Sequence, residues 1–312
     1  MPHLTHADIK AAAIRIAGHT RPIALAPMDP PGHGVLALEY LQHTGSFKAR
    51  GAWNFLAAHR EEGTLPDTGV TIASGGNAGL ACAWAAGRLG VPATVFVPET
   101  APPVKTAALR RLGAEVRSVG REYAEALAAC EEFAAATGAL ASHAYDHPLI
   151  AAGAGTLLEE IHDRVPGLAT VVVAVGGGGL FAGVAAAARQ HGIRVVGVEP
   201  ERSRALNAAL EAGRTVDVPV DSVAADALGA RRATPLALAE ARQPHTRSVL
   251  VPDEAIIGAR QLLWSRHRIA VEPAGATALA ALWHGAYVPD QGERIAVVLC
   301  GANTDPAGLQ DA

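Results

Sequence analysis

The sequence predicts an α/β protein built on two open, mostly parallel sheets flanked by helices. Three observations predict it. Short β-branched runs alternate with Ala-rich helical stretches. Each helical stretch ends near a glycine, the ordinary C-terminal stop. The alternation falls into two blocks, around residues 70–140 and 170–300. Strand, helix, strand in repetition argues for parallel strands with helices on both faces.

In order, "VTIAS" (70–74) leads into a helix over 77–90, "ATVFV" (93–97) into one over 102–113, and "AEVRSV" (114–119) into one over 123–138. Later, "ATVVVAV" (169–175) precedes a helix over 180–192 and "IRVVGVE" (193–199) one over 203–213. "RIAVVLC" (294–300) reads as a last buried strand, and "KARGAWNFLAAHR" as a helix that begins at Lys48.

A chain of 312 residues, half of them hydrophobic, supports a sizeable core and is more typical of two domains than one. The net charge of −4 and interspersed charges give no basic stripe for nucleic acid or an anionic membrane. The start has no apolar signal core and no apolar run reaches a membrane span. Three cysteines without a C-x-x-C fit a reducing, cytoplasmic setting. The thirteen histidines include no H-E-x-x-H, and the 143–147 stretch is a poor helix, so they read as scattered surface and loop residues.

The chain has 3 lysines among 26 Lys and Arg. Where charge alone matters this sequence writes Arg, so a lysine in "GSFKARG" (45–51) points to its amine. A Lys amine becomes nucleophilic when burial or neighbouring charge lowers its pKa, whereas Arg stays protonated. A helix start is a poor place for a cation and suits a lysine whose charge is lost in a Schiff base. Three more loops lie at strand ends. "SGGNAG" (74–79) offers helix-start N–H groups to an anion. "VGGGGLFAG" (175–183) is a strong signal for phosphate held by backbone N–H groups. It also imitates a dinucleotide fingerprint, with Glu199 about 20 residues on, which keeps a nicotinamide oxidoreductase open. "LCGAN" (299–303) ends the last strand, and its cysteine alone reads as a small core residue.

Taken together, "LEYLQHTGSFKARGA", "SGGNAG", "VGGGGL", "VEPAGATALAAL" (271–282) and "LCGAN" resemble the pyridoxal-phosphate enzymes of the tryptophan-synthase-β fold, and among them the L-serine/L-threonine dehydratases. "ETAPPVKTAALRRLGAEV" and "YDHPLIAAGAGTLLEEI" agree, and the likeness runs from about residue 15 to 305. The resemblance implies that Lys48 carries pyridoxal phosphate as a Schiff base beside Phe47. It implies that Asn77 bonds the ring hydroxyl, that Gly176, Gly177, Gly178, Gly179 and Leu180 cradle the phosphate, and that Cys300 faces the pyridine nitrogen. Ser74, Gly75, Gly76 and Asn77 then hold the substrate carboxylate. A neutral thiol at the ring nitrogen makes a weaker electron sink than an Asp and favours prompt β-elimination. Lys48 takes the Cα proton, and the cofactor phosphate, with a second pKa near ~6, is matched to protonating the leaving hydroxide. The products are a 2-oxo acid and ammonia.

The same resemblance implies a large domain, 1–48 with 146–312, and a small one, 49–145, that closes over substrate. Ala78, where biosynthetic threonine dehydratases usually carry His, and Cys300 point to the serine-dehydratase branch. The chain's end at residue 312 leaves no room for a regulatory domain. Related dehydratases hold a cation behind the phosphate loop, and the matching positions are Glu199, Ser203, Ala205, Leu228 and Ala230. One carboxylate among neutral carbonyls suits potassium better than magnesium. The sequence does not separate serine from threonine. No arginine stands out as a clamp for the second carboxylate of a 3-hydroxyaspartate. Racemisation needs a second proton donor, and Gly75 stands where related serine racemases carry a hydroxyl. A non-catalytic homologue is disfavoured by the intact lysine, Asn and glycines. A homodimer is the default assembly.

Overall fold

The computed structural model describes residues 4–28 and 34–305. The chain opens with α1 (His6–Ile16), β1 (Leu25–Pro27) and β2 (Gly34–Ala37). Two 3-10 turns (Glu39–Leu41 and His43–Gly45) lead to α2 (Lys48–Glu61). Then come β3 (Val70–Ala73), α3 (Asn77–Leu89), β4 (Ala93–Val97), α4 (Pro103–Arg111), β5 (Glu115–Ser118), α5 (Tyr123–Thr137) and β6 (Leu140–Ala141). The second half holds α6 (Pro148–Arg164), β7 (Thr170–Ala174), α7 (Gly179–His191), β8 (Arg194–Pro200), α8 (Ala205–Ala212), α9 (Ala225–Leu228), α10 (Pro235–Ala241) and β9 (Thr246–Val251). It ends with α11 (Asp253–His267), α12 (Pro273–Trp283) and β10 (Ile295–Val298).

Two sheets result, as the strand–helix alternation predicts. The six-stranded sheet has the order β1-β2-β10-β7-β8-β9 and the four-stranded sheet β5-β4-β3-β6. Every pair is parallel except β1 with β2. Parallel strands covered on both faces read as continuous apolar runs. All five residues of β7 and of β4 are buried accordingly. Both α7 and α12 pack on β7. Around the large sheet, Val171, Val173, Val196, Leu157, Leu158 and Phe181 share one core. Truncating a fully buried leucine such as Leu157 to Ala there costs about 2–5 kcal/mol.

The glycine stops behave as predicted. Gly90, Gly138, Gly192 and Gly213 follow α3, α5, α7 and α8 in the left-handed region, with φ of 70°, 73°, 65° and 65°. The 143–147 stretch is indeed non-helical, and His147 Nδ1 caps α6 by accepting from Leu149 N. No helix of the described residues is long and apolar enough to cross a membrane.

Candidate active site

In the large sheet β2, β10 and β7 are parallel neighbours. The loops at their carboxyl ends therefore lie side by side, where open α/β sheets collect ligands. These are the three segments that end in "GSFK", "LCGAN" and "GGGG". Phe47 N donates to Cys300 O at 3.0 Å and Ser46 bridges Gly301, so the first two run antiparallel against each other. The "SGGN" loop arrives from β3 of the small sheet. A cavity of about 700 Å³ joins all four loops. Phe47, Lys48, Ser74, Gly75, Gly76, Asn77, Gly176 to Gly179, Leu180 and Cys300 all line it.

Lys48 opens α2. Its Nζ donates to Ala144 O at 3.1 Å and lies 4.8 Å from the centroid of the Phe47 ring. Burial pulls its pKa down to about 8, with Cys300 and Glu272 only partly offsetting that. The amine therefore gives up its proton more readily than a surface lysine. Burial pushes the Cys300 thiol up to about 12, so it is a neutral group, and its Sγ faces Ala274 O at 3.5 Å.

The glycine loop leaves β7 and enters α7. Gly178 has φ +97°, a left-handed position that favours glycine. A side chain at Gly177 would collide with the Tyr145 ring, and one at Gly179 would lie 2.8 Å from Tyr145 O. The first N–H groups of α7 have no partner within the helix. Bare backbone and helix-start donors facing a cavity fit a phosphate. The cavity's size, the buried amine and this cradle together fit pyridoxal phosphate.

Asn77 opens α3 and bridges the two halves. Its Nδ2 donates to Glu272 Oε1 at 2.8 Å, and its Oδ1 accepts from Asn303 Nδ2 at 2.7 Å. One amide N–H is left for a ligand. Ser74 Oγ accepts from Gly76 N at 3.4 Å, closing a small turn at the mouth of α3. Sequence reasoning missed Glu272 and Asn303, although both stand inside motifs it quoted. Burial pushes the Glu272 carboxyl up to about 7, against the bond from Asn77 that lowers it. A Cβ at Gly301 would strike Glu272 Oε1, so a side chain there would displace the Glu272 carboxylate from Asn77. Asn303 Nδ2 also reaches Thr44 O at 2.7 Å. Thr44 has φ +62°, unusual for a β-branched residue and the kind of strain found at ligand sites.

The five predicted cation positions divide. Leu228 and Ala230 line the cavity, whereas Glu199, Ser203 and Ala205 do not. Glu199 is fully buried, and its two oxygens accept from Leu206 N at 2.7 Å and Asn207 N at 2.8 Å at the start of α8. Burial pushes its carboxyl up to about 8, partly offset by those bonds. Ser203 Oγ donates to Leu228 O at 2.9 Å and joins the two segments. Glu199 thus caps a helix, which removes the nicotinamide reading, where it has to reach a ribose.

A family model described as pyridoxal-phosphate dependent enzyme matches residues 18–301. The chain belongs to that family. It is 40% identical over 270 residues to an L-threonine ammonia-lyase of Geobacter sulfurreducens, covering 86% of this chain and 66% of that protein. The chain thus spans about two thirds of that relative's length. It is 35% identical to a serine dehydratase-like protein of Mus musculus, covering 86% of this chain and 84% of the other. Among solved structures, maize serine racemase superposes with TM-score 0.90 at 27% identity, covering 98% of this chain and 95% of that one. Family membership makes pyridoxal phosphate the cofactor and agrees with the fold predicted from sequence.

Proposed function

We propose that the chain is a pyridoxal-phosphate-dependent ammonia-lyase. It removes the β-hydroxyl and α-amino groups of L-serine, L-threonine or both, and gives a 2-oxo acid and ammonia. The observation that carries the reading is the buried Lys48 amine, lining one cavity with the glycine loop and the Ser74–Asn77 loop. When bound, the cofactor supplies an electron sink for charge developed at the substrate Cα.

The chain's own residues do the rest. Lys48 would hold the cofactor covalently, and its amine would serve as the base for the substrate Cα proton. A pKa near 8 suits an amine that must work as a base close to neutrality. Gly176 to Leu180 would hold the phosphate on backbone N–H groups. The helix start at Asn77, with Ser74, Gly75 and Gly76, holds the substrate carboxylate. Phe47 would pack beside the ring, Asn77 would offer its remaining N–H to the ring hydroxyl, and the neutral Cys300 would leave the ring nitrogen uncharged.

Residues 49–145 form the small domain, which closes on 1–48 with 146–312. Support comes from Lys105 on α4 and Asp226 on α9, which pair across the cavity wall. Potassium at Glu199, Ser203, Ala205, Leu228 and Ala230, a homodimer and a cytoplasmic setting complete the reading. Free, buried Cys82, Cys130 and Cys300 fit that setting.

A second reading, 3-hydroxyaspartate dehydratase, gains from Arg231, which lines the cavity and gives a second carboxylate a partner. Release of ammonia and 2-oxo acid, assayed across L-serine, L-threonine and 3-hydroxyaspartate, tests both. Turnover of 3-hydroxyaspartate alone selects the second reading. Failure of all three substrates rejects both.

A further inference from the structure

Away from the cavity, three helices meet at a cluster of histidines. His6 and Lys10 are four residues apart on α1, so they share a face. Glu159 and His162, three residues apart, share a face of α6, and His191 is the last residue of α7. None of these lines the Lys48 cavity. The histidines are therefore not all scattered, as the sequence had suggested.

The atoms converge on one carboxylate oxygen. Glu159 Oε1 lies 3.0 Å from His191 Nε2 and 3.4 Å from His6 Nε2, and the three ligand atoms all fall within 4.8 Å of one another. Zinc bonds of about 2.0–2.1 Å to His and carboxylate place tetrahedral ligands roughly 3.3 Å apart. The two measured edges match that spacing. The polar bookkeeping points the same way. His191 can donate its N–H to Oε1, but His6 Nε2 is buried and has no aligned hydrogen-bond partner. A cation between them would satisfy both imidazole lone pairs and the carboxylate at once.

The surroundings support the donor set. Lys10 Nζ sits 2.7 Å from the other oxygen, Oε2, and fixes the carboxylate while leaving Oε1 turned to the two imidazoles. The His162 ring packs on His191 with centroids 4.0 Å apart and holds that imidazole's plane. Outer partners of this kind orient metal ligands.

We propose that His6, Glu159 and His191 form a site for a zinc-class divalent transition-metal ion, which pins α1 to α6 and α7. Two imidazoles and a carboxylate leave a fourth position for water. This site is separate from the cation expected behind the glycine loop, which has only oxygen donors.

The test uses chelator-treated, full-length holoenzyme titrated with cobalt(II) and then zinc. Cobalt should give the visible d–d bands of a four-coordinate ion, beyond the cofactor's absorption, and zinc should abolish them. The melting temperature should rise with zinc. His6→Gln and His191→Gln should each weaken cobalt binding by at least about tenfold while keeping the cofactor spectrum. Lys10→Met should weaken cobalt binding less than either histidine variant, because Lys10 orients the carboxylate without ligating the ion. Absence of the bands overturns the proposal. So does undiminished binding in both histidine variants, or loss of binding in Lys10→Met alone.

Discussion

Arg50 grips Glu39 with two parallel hydrogen bonds, Nε to Oε2 at 2.9 Å and Nη2 to Oε1 at 2.7 Å, and both side chains are fully buried. Its Nη1 reaches Glu160 Oε1 at 2.5 Å, and Glu160 Oε2 accepts from Ile23 N. The guanidinium thus ties the first turn of α2, which carries Lys48, to α6 and to the segment before β1. Removing one partner of a buried pair leaves an uncompensated charge. Arg50→Ala is expected to destabilise the protein by about 3–5 kcal/mol in urea unfolding. A loss below 1 kcal/mol on the same order-of-magnitude scale rejects this role.

Lys48→Ala should abolish turnover and covalent cofactor attachment while leaving the fold intact, because the phosphate cradle lies on separate glycines. Borohydride reduction followed by peptide mapping should place the cofactor label on Lys48 in the parent enzyme. A label on Lys10 or Lys105 defeats the assignment. Both sit on solvent-facing ion pairs, with side chains 58% and 33% exposed.

The sequence made the two-sheet frame readable because β3, β4, β7 and β8 are buried apolar runs closed by glycine-stopped helices. It did not reveal β6, whose two residues carry no period, or the antiparallel β1–β2 pair, whose strands have three and four. The glycine loop and Lys48 were legible because their chemistry is local. Arg50, Glu272 and Asn303 were not, because their partners stand far away in sequence. Asn303 meets Asn77 across 226 positions, and Arg50 meets Glu160 across 110. Such pairs exist only once the chain has folded. The His6–Glu159–His191 cluster was hidden for the same reason.

Glu272 should leave a mark on stability against pH. Its folded value near 7 lies above its ordinary 4.5, so the native state binds more protons in that window. Its stabilising contribution is full below about 4.5 and is lost as pH rises through about 7. The loss is on the order of 3 kcal/mol in cofactor-free protein. Glu272→Gln should flatten that decline in urea unfolding measured from pH 4.5 to 7. An unchanged slope refutes the assignment of the titration to Glu272.

Gly75 should decide lyase against racemase. It lines the cavity without a side chain, and a Cβ placed there would come 3.3 Å from Val97 Cγ1, a contact that a small shift relieves. The parent enzyme should form little D-serine from L-serine. Gly75→Ser should supply the missing donor and raise D-serine formation at least about tenfold, below the usual range for a positioned acid. Chiral chromatography of the amino acid pool reads this directly. Abundant D-serine from the parent enzyme means that another cavity group donates on the second face.

Potassium should raise activity, and Glu199 should carry the response. The Glu199 carboxyl is fully buried on β8, the strand paired with β7, and burial holds it near 8. Each oxygen already accepts one backbone N–H, which leaves a further lone pair for an ion. A monovalent cation offsets the cost of ionising the group. It demands less rigid geometry than magnesium, and mostly carbonyl partners suit it. Protons compete for the same carboxylate, so the stimulation should shrink as pH falls below about 8. Chelator-treated enzyme assayed in potassium and in a bulky organic cation at equal ionic strength measures the effect. Glu199→Gln should lose the response while keeping much of the α8 cap, because the amide oxygen still accepts from one N–H. Glu199→Ala should lose both. Equal activity in the two salts at every pH leaves Glu199 as a helix cap and nothing more.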